Sequence, residues 1–425
     1  MFQAKWRLLK KRNFSLFFLG QSASQFGLSF NVLALLWLMR TLTGGLLSST
    51  LLMGLVLVAD AIPRIMLSPF AGVLIDRWKK REVMRIADAA RMVLLVVLAA
   101  LIFAHVVMIW EVLAIALLQS VFSTFFSPSD AVLRTRLVEQ DDLLEANSII
   151  QTGKTAMGVA GPAVGGLLIG FAGLGYAFSV GAITYLISFV ALTMMQVDEP
   201  DLVKRPLEVH SFFQDLRGGF EVFQTVRYAK IFTPFLMLFN FPMAALDLLL
   251  VQYVAIHLHY QTSTGATMVG LINASLAVGE VIGGLLVSTV AAKIRRELLF
   301  VYCTSIAALM ILFTGFTDNI PLICVWFFFG GFFMVMVNVA FFTGIQQAVP
   351  GPQLGRTFAL LQTAFNGMTP VSQLVFGGLA AVIPIGLLFS LLGAIGFVAG
   401  FSPIFHPFVR RGELAEKPAE QVESA

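Results

Sequence analysis

The sequence predicts an all-α membrane protein, with twelve transmembrane helices in two six-helix bundles and both termini cytoplasmic. Three observations predict it. Of 425 residues, 58% are hydrophobic and 12% are charged, against about 25% charged in soluble domains. The apolar residues come in runs of about 20 or more, long enough to cross a bilayer core as helix. Such runs must be helical, because lipid gives backbone amides no hydrogen-bond partner. Finally, the Lys and Arg residues gather on one side of the runs.

The predicted spans are Phe14–Arg40, Leu46–Ile75, Ile86–Ala104, Ile109–Ser127, Ile149–Phe171 and Leu174–Met195. After a polar stretch, Val197 to Arg227, come Ala229–Ile256, Thr264–Ala291, Leu298–Phe316, Ile320–Thr343, Thr357–Val382 and Ile385–Phe405. The domains expected are a first bundle over residues 1–196, a cytoplasmic linker over 197–228, a second bundle over 229–408 and a disordered tail over 409–425. Within the linker, Phe212, Phe213, Leu216, Phe220 and Phe223 recur at roughly helical spacing, the pattern of an amphipathic helix lying on the inner membrane surface.

An even number of spans puts both termini on one side, and the charges say which. The basic residues of Met1–Asn13, of Arg77–Arg85, of the linker, and Arg134, Arg136, Lys293, Arg295, Arg296, Arg356, Arg410, Arg411 and Lys417 all fall on the amino-terminal side. The opposite side receives only Arg40. Topology thus accounts for the net charge of +4 without nucleic acid. Cys303 and Cys324 both lie in apolar segments and suggest neither a disulfide framework nor a metal site. The basic amino terminus leads into a full span without a small-residue cleavage site, so it reads as a retained tail.

The halves look duplicated. Val138, Leu143, Gln151, Thr152 and Gly166 reappear without a gap as Val349, Leu354, Gln362, Thr363 and Gly377. The loop Gly72-Val73-Leu74-Ile75-Asp76-Arg77-Trp78-Lys79-Lys80-Arg81 has a decayed counterpart from Gly284, in which Ser288 replaces the acid. Two parallel repeats with a substrate site between them near the midplane is an arrangement of transporters.

That first loop, with Gly72, Asp76, Arg77 and Arg81, resembles the motif between the second and third helices of major facilitator superfamily transporters. A second signature, Gly153, Gly161, Pro162, Gly165 and Gly166 in the fifth span, resembles the antiporter motif of exporters in that superfamily, with Met157 where a further glycine is usual. Small residues at these spacings let helices approach closely, and Pro162 allows a bend. Local patterns such as Ala87-Asp88-Ala89-Ala90-Arg91, Gly279…Gly283-Gly284-Leu285-Leu286 and Gln346…Val349-Pro350…Leu354-Gly355-Arg356 look like the branch holding macrolide-efflux and enterobactin-exporter-type proteins. The resemblance implies a bacterial cytoplasmic-membrane exporter of small amphipathic compounds that works as a monomer, uses no cofactor and draws on a proton gradient. It also implies that Asp76 switches conformation by meeting the amino end of the eleventh helix near Arg356 and Thr357, where free N–H groups favour an anion. Asp130 is then a partner acid, in a relay with Arg81.

Ionisable residues deep in the bilayer are functional candidates. Counting from Asp76 at about 1.5 Å per residue puts Arg64 roughly 18 Å and Asp60 roughly 24 Å inside, at the i,i+4 spacing that allows them to pair. Glu280 lies about 20 Å from Lys293 by the same count, and Asp247 sits in the outer half of the seventh span. Glu280 and Asp247 are the proton-site candidates, with a satisfied charge pair as the plainer role for Asp60–Arg64. Gln25, Asn31 and Asn240 are among the polar groups available to orient a substrate. Phe122, Phe125, Phe126, Phe328, Phe332 and Met336 supply adaptable apolar surface, although most such side chains face lipid or neighbouring helices. His257 and His259, at i,i+2, are weak as a metal pair. The fourth span lacks the arginine that many drug–proton antiporters carry there, so proton coupling rests on the general resemblance.

Nothing resembles G-x-x-x-x-G-K-S/T, a nucleophile elbow or H-E-x-x-H, which argues against ATP-driven transport and against an enzyme. The second function that fits is a lipid facilitator of the lysophospholipid type or a siderophore exporter, neither requiring a proton.

Overall fold

The computed structural model describes residues 7–44, 49–75, 78–139, 142–197, 226–260, 263–291, 294–349 and 351–411. Asp76, Arg77 and the aromatic linker stretch from Phe212 to Phe223 lie outside them, as does most of the tail. The described residues form α1 (Arg12–Leu42), α2 (Ser49–Ile75), α3 (Lys80–Phe103), α4 (Ile109–Leu137), α5 (Leu143–Ala172) and α6 (Leu174–Met194). Next comes an interrupted helix, α7, in three pieces: Arg227–Met243, Leu246–Gln252 and a π-helical turn, Tyr253–His257. It is followed by α8 (Ser263–Ala291), α9 (Arg296–Thr314), α10 (Ile320–Ala348), α11 (Gly351–Leu379) and α12 (Ile385–Phe401).

Among the described residues, ten helices are long and apolar enough to cross a membrane, all of these except α2 and α11. The boundaries follow local chemistry. Gly173, at φ +89°, holds a backbone that other residues rarely adopt and so separates α5 from α6. Asn319 caps α10, its side chain accepting from Leu322 N at 3.4 Å, and Pro321 fills the first turn, where an N–H has no helical partner.

The chain divides into two compact units: residues 1–209 with 259–274, and residues 210–258 with 275–425. In the first unit, α1 packs on α5 and α6, α3 on α6 and α4, and α2 on α4. Its inner core includes Phe14, Phe17, Met84, Leu133 and Ile150. In the second, α9 packs on α10 and α12, and α12 on α7, around Phe232, Phe239, Phe300 and Phe341.

The glycines of the fifth span make the closest of these approaches. A Cβ on Gly161 would stand 2.8 Å from Ser29 Cβ and 2.9 Å from Phe30 N, so α5 meets the α1 backbone there. One on Gly153 would press on the Phe18 ring, and one on Gly165 on the Phe30 ring. Gly166 turns elsewhere, toward Ala266 and Gly270 in the first turns of α8. The motif therefore joins α5 to α1 and to the opening turns of α8, all within the first unit.

Candidate functional site

Three of the ion pairs in the first unit bear on the candidate residues: those of Asp60, Asp88 and Asp130. On α2, Arg64 Nη2 lies 2.7 Å from Asp60 Oδ2, the i,i+4 pair that the spacing allows. Both side chains keep some exposure, and the Ser120 hydroxyl of α4 donates to the Asp60 carbonyl. Asp130, on α4, takes Arg134 Nη2 at 2.8 Å and Lys154 Nζ at 2.6 Å, which ties α4 to α5. Arg81, expected in a relay with Asp130, donates to the carbonyls of Leu192 and Thr193, at 2.8 and 2.9 Å. Those carbonyls end α6 without helical partners, so they attract a cation.

The third pair, Asp88 and Arg91 of α3, stands out by its burial. Their side chains are 0% and 2% exposed, and Arg91 Nη2 lies 2.5 Å from Asp88 Oδ1. Ser188 of α6 donates to Asp88 Oδ2 at 2.6 Å, and Ser24 of α1 reaches Asp88 Oδ1 at 3.5 Å. The guanidinium lies 4.5 Å from the ring centres of both Phe126 and Tyr185. Four helices thus converge on one ion pair. The sequence shows this pair only as a local pattern, at i,i+3 on one helix, because its other partners come from three distant segments.

Of the polar candidates on α1, Gln25 Nε2 donates to Ser29 Oγ at 3.3 Å. Asn31 is buried against Gly181, whose added Cβ would stand 2.6 Å from its Oδ1.

The second unit differs in charge. Asp247 begins the middle piece of α7 and is exposed, while Glu280 on α8 is half-buried. Glu280 lies against Gly331 of α10, with its Cγ 3.2 Å from where a Cβ on that glycine would stand. The two carboxylates are close enough to act on each other electrostatically. Among the described residues, neither has a Lys or Arg within ion-pair distance.

Near them is a cavity of about 230 Å³, lined by Asn240, Met243 and Ala244 of α7, Met334 of α10, and Phe365, Met368 and Thr369 of α11. Asp247 follows Ala244 by three residues across the break in α7, and Gly331 precedes Met334 by about one helical turn. Drug-sized pockets hold about 300–1,000 Å³, so this cavity takes a ring or alkyl group, not a whole drug. Asn240 lines it, but the apolar residues are not those singled out from the sequence. Met336 is 1% exposed in the core, whereas Met334, two residues earlier, faces the cavity. Similarly, Phe126 is engaged by Arg91.

Comparison with known proteins places the chain. The family model described as "Transmembrane secretion effector" matches residues 3–421. Similar proteins include macrolide efflux protein A of Streptococcus pyogenes, 21% identical over 91% of this chain and 93% of that protein. Others are the multidrug efflux pump Tap of Mycolicibacterium fortuitum, 22% identical over 92% and 95%, and the uncharacterized MFS-type transporter YvqJ of Bacillus subtilis, 22% identical over 96% and 95%. The crystal structure of the nucleoside transporter NupG is similar in fold, with a TM-score of 0.68 at 14% identity over 93% of this chain and 98% of that one. With its helical architecture and a match over nearly its whole length, the chain belongs to the transmembrane secretion effector family of major facilitator superfamily transporters.

Proposed function

We propose that this transporter exports amphipathic drugs or natural products across a bacterial cytoplasmic membrane by alternating access, in exchange for protons. The observation that carries the reading is the pairing of a thioether- and ring-lined cavity with two carboxylates that no described cation neutralises. Three methionines and a phenylalanine accept apolar groups of varied shape. Asn240 and Thr369 offer hydrogen bonds to fix orientation. Asp247 and Glu280 then hold either protons or the charge of a cationic substrate, since an unpaired carboxylate in a membrane must be neutralised somehow. Efflux as the direction agrees with the names of relatives such as macrolide efflux protein A and Tap. The glycine contacts of α5 would keep that helix sealed against α1 through the cycle.

A second reading has an observation of its own. A groove on the first unit, between α3 and α6, is lined by Met92, Val96, Ala99, Phe103, Ser179 and Leu186, nearly all apolar, and it would suit a lipid chain. Such a facilitator would exchange labelled lysophospholipid between leaflets with no proton gradient.

Everted membrane vesicles separate the two. With a proton gradient imposed, a lipophilic cationic dye or a macrolide should discharge the gradient through the wild-type protein. Glu280→Gln should lower that rate by about tenfold or more, a change confined to the coupled step. Unchanged proton release in Glu280→Gln would remove this residue from the mechanism. Leaflet exchange of lipid without any proton flux would favour the facilitator.

A further inference from the structure

The outer end of α7, as the charge distribution orients it, ends in the π turn Tyr253–His257. A π turn departs from regular helix and often marks a place where function needs a non-helical geometry. Here three contacts hold it. The fully buried Tyr253 hydroxyl lies 2.6 Å from the Thr314 carbonyl and 2.8 Å from that of Thr317. These are carbonyls at the last residue of α9 and just beyond it, where helical partners run out. The Tyr253 ring packs 4.7 Å from both His257 and Phe389. Lastly, His257 Nε2 lies 2.8 Å from Asp318 Oδ1, just beyond α9.

The last contact differs in kind from the others. His257 Nε2 is buried and makes no aligned hydrogen bond, so its attraction to Asp318, at 2.8 Å, is mainly one of charge and strengthens when the imidazole is protonated. Among the described residues, no other charge confronts it. Gly386 of α12 lies against the ring, and a Cβ there would stand 3.1 Å from Cε1. Phe389 follows on the same helix, Tyr253 is the titratable neighbour on α7, and the exposed His259 continues the chain. Histidine is the side chain whose charge changes within the physiological pH range.

We propose that His257 and Asp318 form a protonation-operated latch that fastens the π-helical end of α7 to the segment after α9. With the imidazole charged, the pair and the Tyr253 hydrogen bonds hold the end together. With it neutral, the pair loosens and the Tyr253 bonds carry most of the hold. The same α7 carries Asn240, Met243 and Asp247, so an acidic outer medium would restrain the helix that carries these residues. That consequence, unlike the latch itself, rests on the transporter reading.

Hydrogen exchange of the purified full-length protein in lipid nanodiscs tests the latch without any substrate. Rates for the α7 peptide spanning Leu246 to Leu258 would be corrected for intrinsic exchange and compared at about pH 6 and about pH 8. The wild type should exchange about two- to five-fold more slowly at the lower pH, the size of one partly exposed ion pair. His257→Gln and Asp318→Asn should each abolish that difference. Tyr253→Phe should raise exchange at both pH values and keep the difference, which separates the latch from general loosening. A pH difference that persists in Asp318→Asn, or is absent in the wild type, overturns the proposal. Neither result bears on whether the protein exports drugs, which the vesicle experiment reads separately.

Discussion

Asp88→Asn should cost most of the folded protein. The change leaves the Arg91 guanidinium, 2% exposed, without its counter-charge among α1, α3, α4 and α6. Removing one partner of a buried ion pair costs about 3–5 kcal/mol, chiefly because the surviving charge stays buried. Thermal unfolding in detergent and the yield of monodisperse protein are the readouts. Replacing both members, Asp88→Asn with Arg91→Leu, should recover much of the loss, since no charge is left stranded. Arg91→Lys should not behave as a conservative change, because an ammonium cannot lie flat between Phe126 and Tyr185. If Asp88→Asn unfolds at the wild-type temperature, the pair does not organise this unit.

A comparable loss is expected from Gly279→Val, with Gly284→Val as its control. A Cβ at Gly279 would overlap the Phe328 carbonyl, so α8 and α10 meet there through backbone. Gly283 makes the same approach to Phe332, and Gly331 returns it toward Leu276. Carbonyl atoms cannot swing aside like a side chain, so overpacking should cost at least the usual 1–3 kcal/mol, or about that. At Gly284 the nearest neighbour is Val335 Cγ2 at 3.9 Å, an ordinary contact, and the control should stay near wild type. The same shift would also displace Glu280, which is seated against Gly331. Equal unfolding temperatures for the two variants would mean that α8 and α10 do not pack through Gly279.

The helices were legible because apolar run length is a strong signal in lipid. The approach glycines of α5 were legible too, since spacing on one helix reveals a small-residue face. Where those faces point was not, because Gly161 and Gly166 belong to one motif yet meet different helices. Ion pairs divide in the same way. Asp60–Arg64, one turn apart, was readable from spacing, whereas Asp130, expected beside Arg81, takes Arg134 of its own helix and Lys154 of the next. The break in α7 was hidden, since Ala229–Ile256 reads as one span and only the bonds of Tyr253 and His257 mark the π turn. The place of the cavity was not legible. Three helices supply it, and helical phase decides between Met334 and Met336.

Proton-driven drug export is tested by gradient-dependent drug accumulation in cells. Efflux-deficient bacteria expressing the protein would be loaded with a cationic dye, a macrolide or tetracycline, with and without a protonophore. Accumulation should be lower in cells with wild-type protein only while the gradient stands, and Glu280→Gln should lose that effect at equal expression. Accumulation unaffected by the protein for every compound, or lowered equally after the gradient is collapsed, would contradict proton-driven drug export.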